Sequence, residues 1–199
     1  MYLETDRLIV RTFCESDCDT LYRIKTSPQV VEFDPTLLKR DASQEEMIIY
    51  IRDFIRMEEE GDRDTWRCYA IELKESGEVV GCLTFSKYSI LQEYEMGWMM
   101  RGEYTKKGYA SEAAAAFSDH ILVTYGIDYM IVFMDTDNPA SYRTAEKSGF
   151  KLFEKRTVYD YHYNRYGDDY YYFRRYAAGC TRRERFYGDV PYTGRGADL

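Results

Sequence analysis

The sequence has 199 residues, of which 45% are apolar and 17% aromatic. A chain of this length buries about 70% of its unfolded surface, so it can hold a core without disulfides or a structural metal. The apolar share, against a usual range of about 45–50%, excludes general disorder. We therefore expect one globular domain over 1–177. The arginine- and glycine-rich tail over 178–199 should add no core of its own.

The balance of charge argues against one class of function. Lys and Arg number 27 and Asp and Glu 35, which gives a net charge of −8. Such a surface repels a phosphate backbone, which excludes a nucleic-acid binder that ignores base sequence. Residues 1–100 hold 12 basic and 21 acidic side chains, and residues 101–199 hold 15 and 14. This asymmetry suits an anionic cofactor at one end and a cationic substrate at the other.

The cysteines indicate a reducing compartment. The five cysteines are scattered and odd in number, and no secretory signal opens the chain, so we expect free thiols in the cytoplasm. Two histidines far apart and a single Cys-x3-Cys spacing give no zinc pattern, so no metal is expected. No apolar run approaches the roughly 20 residues that span a bilayer, and no membrane association is expected.

The first hundred residues predict four strands and two helices. Apolar patterning indicates strands over 8–13, 66–73, 79–88 and 94–100. A short helix over 15–25 should stop at Ser27–Pro28, because the residue before proline avoids helical angles. Ser43 and Glu46 have the spacing of a capping box, which predicts a helix from there to Glu60.

The second half predicts alternating helices and strands. An alanine-rich helix over 108–125 precedes a continuous apolar strand over 129–134. Asn138 as cap and Pro139 at the first position open another helix, which ends at Ser148–Gly149. Further strands are expected over 150–155, 158–163 and 170–176, the last two forming a tyrosine-dense hairpin around a loop at 164–169.

A basic glycine turn lies between the fourth strand and the alanine-rich helix. Lys106, Lys107 and Gly108 precede a helix N-terminus, whose unpaired amides and dipole favour phosphate. The spacing of a nucleotide P-loop is absent. A solvated basic turn remains the alternative.

Several strings of the sequence, taken in order, resemble one protein family. LETDRLIVR, EMGW, GYASEA and NPASYRTAEKSGF together resemble the GNAT superfamily of N-acetyltransferases over about residues 3–155. The closest resemblance is to the branch that acetylates ribosomal-protein N-termini. It implies an α+β fold with a central mixed, mostly antiparallel sheet of six to seven strands and about four flanking helices. That sheet should be splayed between the fourth and fifth strands.

The resemblance also implies acetyl-CoA as co-substrate. Its pyrophosphate would lie on the backbone amides of Lys106, Lys107, Gly108, Tyr109 and Ala110, and its pantetheine arm would pair with Met99 and Met100. The resemblance further implies that Asn138 binds the arm near the thiol, while Arg143 and Lys147 meet the phosphates. A pure helix cap for Asn138 and a solvated helix face for the two cations remain alternatives.

Two positions depart from the family pattern. Thr105 stands where relatives often carry Gln or Arg, and Ala145 stands where many carry a tyrosine that protonates the leaving thiolate. Ser141, three residues after Asn138, is the hydroxyl that this branch usually offers at that point. We therefore expect the Ser141 hydroxyl to lie near the leaving sulfur. The alternative is that Ser141 is only a polar residue in the first turn of the helix.

Attack on a thioester requires a neutral amine, so a carboxylate that accepts its proton is expected. Glu95, which precedes Gly97 on the cleft strand, is the candidate base, directly or through water. Glu93 has the same side-chain direction and is the second choice, and solvent is the third. A backbone N–H near Met99 would stabilise the oxyanion.

These inferences give an acetyl-CoA-dependent N-acetyltransferase that acts on a primary amine by direct attack in a ternary complex. The alternative is a catalytically weak GNAT-fold module that binds coenzyme A or a protein. The hairpin tyrosines could form an aromatic wall for an ammonium group or could simply pack across strands. The acceptor, a small-molecule amine or a protein N-terminus, and self-association into a homodimer are left open.

Overall fold

The computed structural model describes residues 1–33, 43–88, 93–160 and 165–180. The predicted tail lies outside this part of the chain after residue 180. Five α-helices occur in the described ranges: α1 (Cys18–Lys25), α2 (Pro28–Val31), α3 (Gln44–Glu59), α4 (Tyr109–Tyr125) and α5 (Pro139–Lys147). None of these helices is long and apolar enough to span a bilayer.

Eight strands occur in the same ranges: β1 (Tyr2–Glu4), β2 (Leu8–Thr12), β3 (Arg67–Leu73), β4 (Val79–Tyr88), β5 (Glu93–Met100), β6 (Tyr129–Asp135), β7 (Lys151–Asp160) and β8 (Arg165–Tyr176). They form a mixed sheet in the order β1-β2-β3-β4-β5-β6-β8-β7. The pairs β1–β2, β2–β3, β3–β4, β6–β8 and β7–β8 are antiparallel, and β5 pairs with β6 in parallel. The predicted fold class is confirmed, although the described ranges hold eight strands where six to seven were predicted, and five helices where about four were.

The chain divides into two compact units. The first comprises Met1–Ser86 and Gly97–Phe117. Its core joins α1 and α3 to one face of β3 and β4 through the buried side chains Phe13, Cys18, Leu21, Ile24, Met47, Ile51, Phe54, Cys68, Ala70, Val79 and Cys82. The capping box forms as predicted, since the Ser43 hydroxyl accepts from the Glu46 amide at 3.2 Å. On the other face, the ring of Phe117 in α4 packs against those of Tyr69 and Phe85.

The second unit comprises Lys87–Met96 and the residues from Ser118 onward. Helix α5 packs on one face of β8, where the ring of Tyr142 meets those of Tyr171 and Phe173. The opposite face of the strands carries a buried cluster of Tyr129, Ile131 and Tyr172. Strand β5 pairs with β6 here, and its Glu95 is the register partner of Ile131 in this cluster.

The structure differs from the predicted elements at three places. Strand β1 was not predicted, because a strand of three residues is too short to show a period of two. Pro28 does end α1, but it also begins α2, where its fixed φ suits the first helical position. The predicted strands 150–155 and 158–163 are one strand, β7, whose register shifts relative to β8 absorb the irregular residues between them.

The hairpin turn was also misplaced. Residues 165–169, predicted as loop, belong to β8, which begins at Arg165. The residues that join β7 to β8, 161–164, lie outside the described part of the chain. The glycine and aspartates of the predicted loop resemble a turn locally, but pairing with β7 overrides that local preference.

Candidate active site

The basic turn forms a shallow cradle of backbone amides. Lys106 has a φ of +61° and Gly108 a φ of +83°, so two residues of the turn are in the left-handed region just before α4 begins at Tyr109. The Glu112 amide donates to the Gly108 carbonyl at 3.0 Å, so the three amides before Glu112 have no acceptor within the helix. Lys106, Lys107 and Gly108 are exposed, while Tyr109, Ala110 and Ser111, which carry these three amides, are half-buried. Unpaired amides at a helix N-terminus favour an anion.

One carboxylate stands in the first turn of α4, and it is neutralised. Glu112 lies 2.6 Å from Arg7 and also accepts hydrogen bonds from the Thr5 hydroxyl and the Arg7 amide. Partial burial acts to raise the pKa of Glu112, but the hydrogen bonds from Thr5 and Arg7 outweigh it and lower that pKa. Glu112 therefore stays ionised and paired at neutral pH, and the lysines set the charge of the cradle.

The backbone of Met99 and Met100 is held closely by its neighbours. A Cβ added at Gly81 would lie 2.5 Å from the Met99 carbonyl oxygen and 2.5 Å from Sδ of Met100, so β4 can approach β5 this closely only with glycine there. The Met100 carbonyl accepts a hydrogen bond from the side-chain amide of Gln29 at 3.2 Å. Both carbonyls thus lie against other groups of the first unit.

Glu95, on β5 in the second unit, is half-buried. Burial raises the pKa of its carboxyl to about 8. In the described part of the chain, no hydrogen bond or ion pair reaches this carboxyl group. A carboxyl group with this pKa and a free lone pair is suited to accept a proton near neutral pH.

Glu93, two residues earlier on the same face, has a different environment. Its carboxylate is buried and accepts a hydrogen bond from the Tyr129 hydroxyl at 2.6 Å and another from the Tyr172 hydroxyl. Arg174, fully buried, lies 3.2 Å from the same oxygen. These contacts favour a structural role for Glu93 over the second-choice role of base.

The other four predicted residues of the second unit lie on or next to helix α5: Asn138 is its cap, and Ser141, Arg143 and Lys147 belong to the helix. The Asn138 side-chain oxygen accepts from the Ser141 amide at 3.0 Å, so Asn138 does cap the helix. Its amide nitrogen has no partner among the described residues. Ser141 is half-buried, while Arg143 and Lys147 are exposed. Ala145, at the position where relatives carry a tyrosine, is fully buried and faces the core.

The predicted residues therefore fall into two groups. The first unit holds Met99, Met100 and the cradle at 106–110, and the second holds Glu95 and the four positions on α5. Sequence reasoning missed two contacts. Arg7 belongs to the LETDRLIVR string but carried no assigned role, and nothing local pointed to Gln29. Over the described ranges, no group of three or more His, Cys, Asp or Glu side chains is arranged to hold a metal ion.

Comparison with known proteins identifies the family. The family model of the acetyltransferase (GNAT) domain matches residues 7–151. An N-acetyltransferase of Bacillus subtilis (strain 168), YnaD, itself uncharacterized, is 26% identical over 174 residues, which cover 86% of this chain and 95% of that protein.

Solved structures agree on the fold. A GNAT-family acetyltransferase from Bacillus anthracis superposes with a TM-score of 0.71 at 24% identity, covering 88% of this chain and 98% of that one. RimL, a ribosomal L7/L12 alpha-N-protein acetyltransferase in complex with coenzyme A, superposes with a TM-score of 0.65 at 20% identity, covering 89% and 98%. At these sequence identities the solved structures support the fold alone. The family model covers most of the chain and therefore shows the family. The chain belongs to the GNAT acetyltransferase family.

Proposed function

We propose that the protein is an acetyl-CoA-dependent N-acetyltransferase that acetylates a primary amine by direct attack in a ternary complex. The observation that carries this proposal is the carboxyl of Glu95, which is half-buried, lacks a partner in the described residues and has a pKa raised to about 8. Strongly perturbed pKa values cluster at functional sites, where burial tunes an acid or base to its task.

The cradle fits the phosphates of coenzyme A. The positive φ of Lys106 and Gly108 and the free amides at the start of α4 provide backbone donors, and the two exposed lysines add positive charge. We assign the pyrophosphate to the amides of 106–110. Arg143 and Lys147, exposed on α5, are proposed to attract the phosphates through their positive charges.

The backbone of β5 is proposed to hold the pantetheine arm. Since the Met99 carbonyl lies against Gly81 and the Met100 carbonyl accepts from Gln29, we assign the pairing to the Met100 N–H. Asn138 can cap α5 through its oxygen and still donate from its amide nitrogen, so its two proposed roles are compatible.

Acetyl-CoA, when bound, supplies an acetyl group activated as a thioester. Glu95 accepts the proton that the attacking amine must lose, directly or through water, and an ionised carboxylate with a pKa near 8 is a stronger base than an ordinary glutamate. Ser141 is proposed to donate from its hydroxyl toward the sulfur, because Ala145 cannot. Backbone donors near Met99 would stabilise the oxyanion.

The acceptor is proposed to be a small-molecule amine or a protein N-terminus. RimL, named as acting on ribosomal protein L7/L12, resembles this chain in fold, so peptide N-termini belong in the test. The experiment measures release of free thiol from acetyl-CoA across peptides, polyamines, amino acids and aminoglycosides. Coenzyme A affinity is measured in parallel by titration calorimetry.

Thiol release above the uncatalysed rate with at least one amine class would support the enzyme. Tight binding of coenzyme A with no release across the whole panel would instead support the binding module, an alternative that rests on the departures from the family pattern at Thr105 and Ala145. Absence of coenzyme A binding would overturn both.

A further inference from the structure

We propose that Arg7 is a positioning residue for the phosphates of coenzyme A, acting through the turn at 105–110 and through Glu112. The inference rests on the proposed function, since it concerns the same cradle. Arg7 lies about a hundred residues before the turn in sequence, but belongs to the same unit.

All three nitrogens of the Arg7 guanidinium are engaged around the start of α4. Nε donates to Oε2 of Glu112 at 2.7 Å, and Nη2 lies 2.6 Å from the same oxygen. Nη1 donates to the carbonyl of Lys107 at 3.1 Å. The guanidinium also stacks over the ring of Tyr109, 4.7 Å from its centroid. One side chain therefore joins the turn to the first turn of the helix.

The contact with Glu112 removes a competitor for the bound anion. A carboxylate in the first turn of a helix is attracted to the same amides and dipole as a phosphate would be, and it repels that phosphate. Arg7 neutralises this carboxylate and, with the Thr5 hydroxyl, holds it against the segment that joins β1 to β2. The amides of the cradle thus remain available to an external anion.

The contact with Lys107 fixes the backbone of the turn. Lys107 stands between Lys106 and Gly108, both with positive φ, and its carbonyl would repel phosphate if it rotated into the cradle. The hydrogen bond from Nη1 ties that carbonyl to the guanidinium and so opposes its rotation. A Cβ at Gly108 would lie 3.4 Å from Nη2, so Arg7 borders the cradle directly.

The exposure of the pair argues against a role in stability alone. The Arg7 side chain is 49% exposed and that of Glu112 20%, so solvent screens the pair and it contributes less to folding than a buried pair would. A role in positioning the turn is consistent with this exposure.

The test compares two ligands on the full chain by titration calorimetry: coenzyme A, and pantetheine, which lacks the phosphates. Arg7→Ala should weaken the binding of coenzyme A by about tenfold, because the turn loses a hydrogen bond that fixes its backbone and Glu112 is no longer neutralised. The affinity for pantetheine should change by no more than about twofold. The melting temperature should stay within a few degrees. Arg52→Ala is the matched control, because Arg52 makes the same kind of pair with Glu15 on an exposed helix face.

A second variant separates positioning from general damage. In the Arg7→Ala background, Glu112→Gln removes the unneutralised carboxylate and should recover several-fold of the lost coenzyme A affinity. The effect of Arg7→Ala should also shrink at high salt, where exposed charges are screened. If Arg7→Ala fails to fold, Arg7→Lys, which keeps the charge but not the fork of donors, should show an intermediate loss for coenzyme A alone.

Parental coenzyme A affinity in Arg7→Ala, an equal loss for both ligands, or a further loss on adding Glu112→Gln would overturn the inference and leave the proposed function standing. Failure of the parent protein to bind coenzyme A would overturn the proposed function, and the inference with it.

Discussion

Glu93 and Glu95 lie two residues apart on the same face of β5, and their carboxyl groups have opposite environments. Glu93 pairs with Arg174 at 3.2 Å in a buried cluster with Tyr129 and Tyr172. Glu95 has no such partner in the described residues, and burial raises its pKa to about 8. The protein thus neutralises one carboxylate with a buried cation and leaves its neighbour poised to exchange a proton.

The first prediction concerns the base. Glu95→Gln should lower turnover by about 10²–10⁴, the usual worth of a positioned base, with coenzyme A affinity unchanged. In the parent, kcat/KM should rise with pH through about 8, as the Glu95 carboxyl ionises. The variant should lose that rise. Comparing both on the same amine separates the carboxyl from the ionisation of the amine itself.

Glu4→Gln is the matched control, since Glu4 is a strand glutamate paired with Lys74 far along the sheet order from β5. It should keep the parental rate and pH profile. Near-parental turnover of Glu95→Gln with the same pH dependence would assign the proton to solvent.

The second prediction links the same group to stability. The native pKa of Glu95 is raised to about 8 from an ordinary value of 4.5, so between these values the native state binds more protons than the unfolded state. Stability contributed by the neutral carboxyl is complete below about pH 4.5 and is lost as pH rises through 8. Glu95→Gln should therefore melt at the parental temperature at acid pH and above it at pH 9.

Glu4→Gln should show the opposite sign in the same melts. The hydrogen bond from Lys74 lowers the pKa of Glu4, so this carboxylate stabilises the native state at high pH, and its loss should lower the melting temperature there slightly. A melting difference for Glu95→Gln that does not change with pH would contradict the raised pKa.

The sequence predicted the parts of the fold that are coded locally. Helix α3 begins at its Ser43 capping box, and α5 begins at Pro139 directly after its cap Asn138, because caps depend on neighbours within one turn. The partners of Glu93 could not be predicted in this way, because Arg174 lies 81 residues away and reaches it only through the pairing of β6 with β8. Arg7 and Glu112, 105 residues apart, escaped prediction for the same reason.

The third prediction tests the buried pair. Glu93→Gln deprives the fully buried Arg174 of its carboxylate, and breaking such a pair typically costs about 3–5 kcal/mol. For a chain of this size the melting temperature should fall by roughly 6–20 °C. The rise of kcat/KM through pH 8 should remain. Glu15→Gln, which breaks an exposed pair with Arg52, should leave the melting temperature nearly unchanged. Loss of the pH-dependent rise in Glu93→Gln would make Glu93 the base.

The fourth prediction tests the cradle. Gly108→Val forces a β-branched residue to a φ of +83° and places its side chain at the amides that should hold the pyrophosphate, so coenzyme A binding should be lost. Gly77→Val carries the same kind of backbone strain at a φ of +70°, with nothing within 4 Å of the added Cβ. It should lower the melting temperature and leave coenzyme A affinity intact. Lys106→Ala should weaken binding only mildly. Tight calorimetric binding by Gly108→Val would place the pyrophosphate elsewhere.

The last prediction separates the two roles of Asn138. Serine caps a helix as well as asparagine does, so Asn138→Ser should keep the hydrogen bond from the Ser141 amide and the parental melting temperature. It lacks the amide donor proposed for the pantetheine arm, so coenzyme A should bind about tenfold more weakly. Asn138→Ala should lose both affinity and about 1 kcal/mol of stability. Ser43→Ala removes the cap of α3 and should cost stability without changing affinity. Parental coenzyme A affinity in Asn138→Ser would show that the Asn138 side chain acts only as a helix cap, through its hydrogen bond with the Ser141 amide.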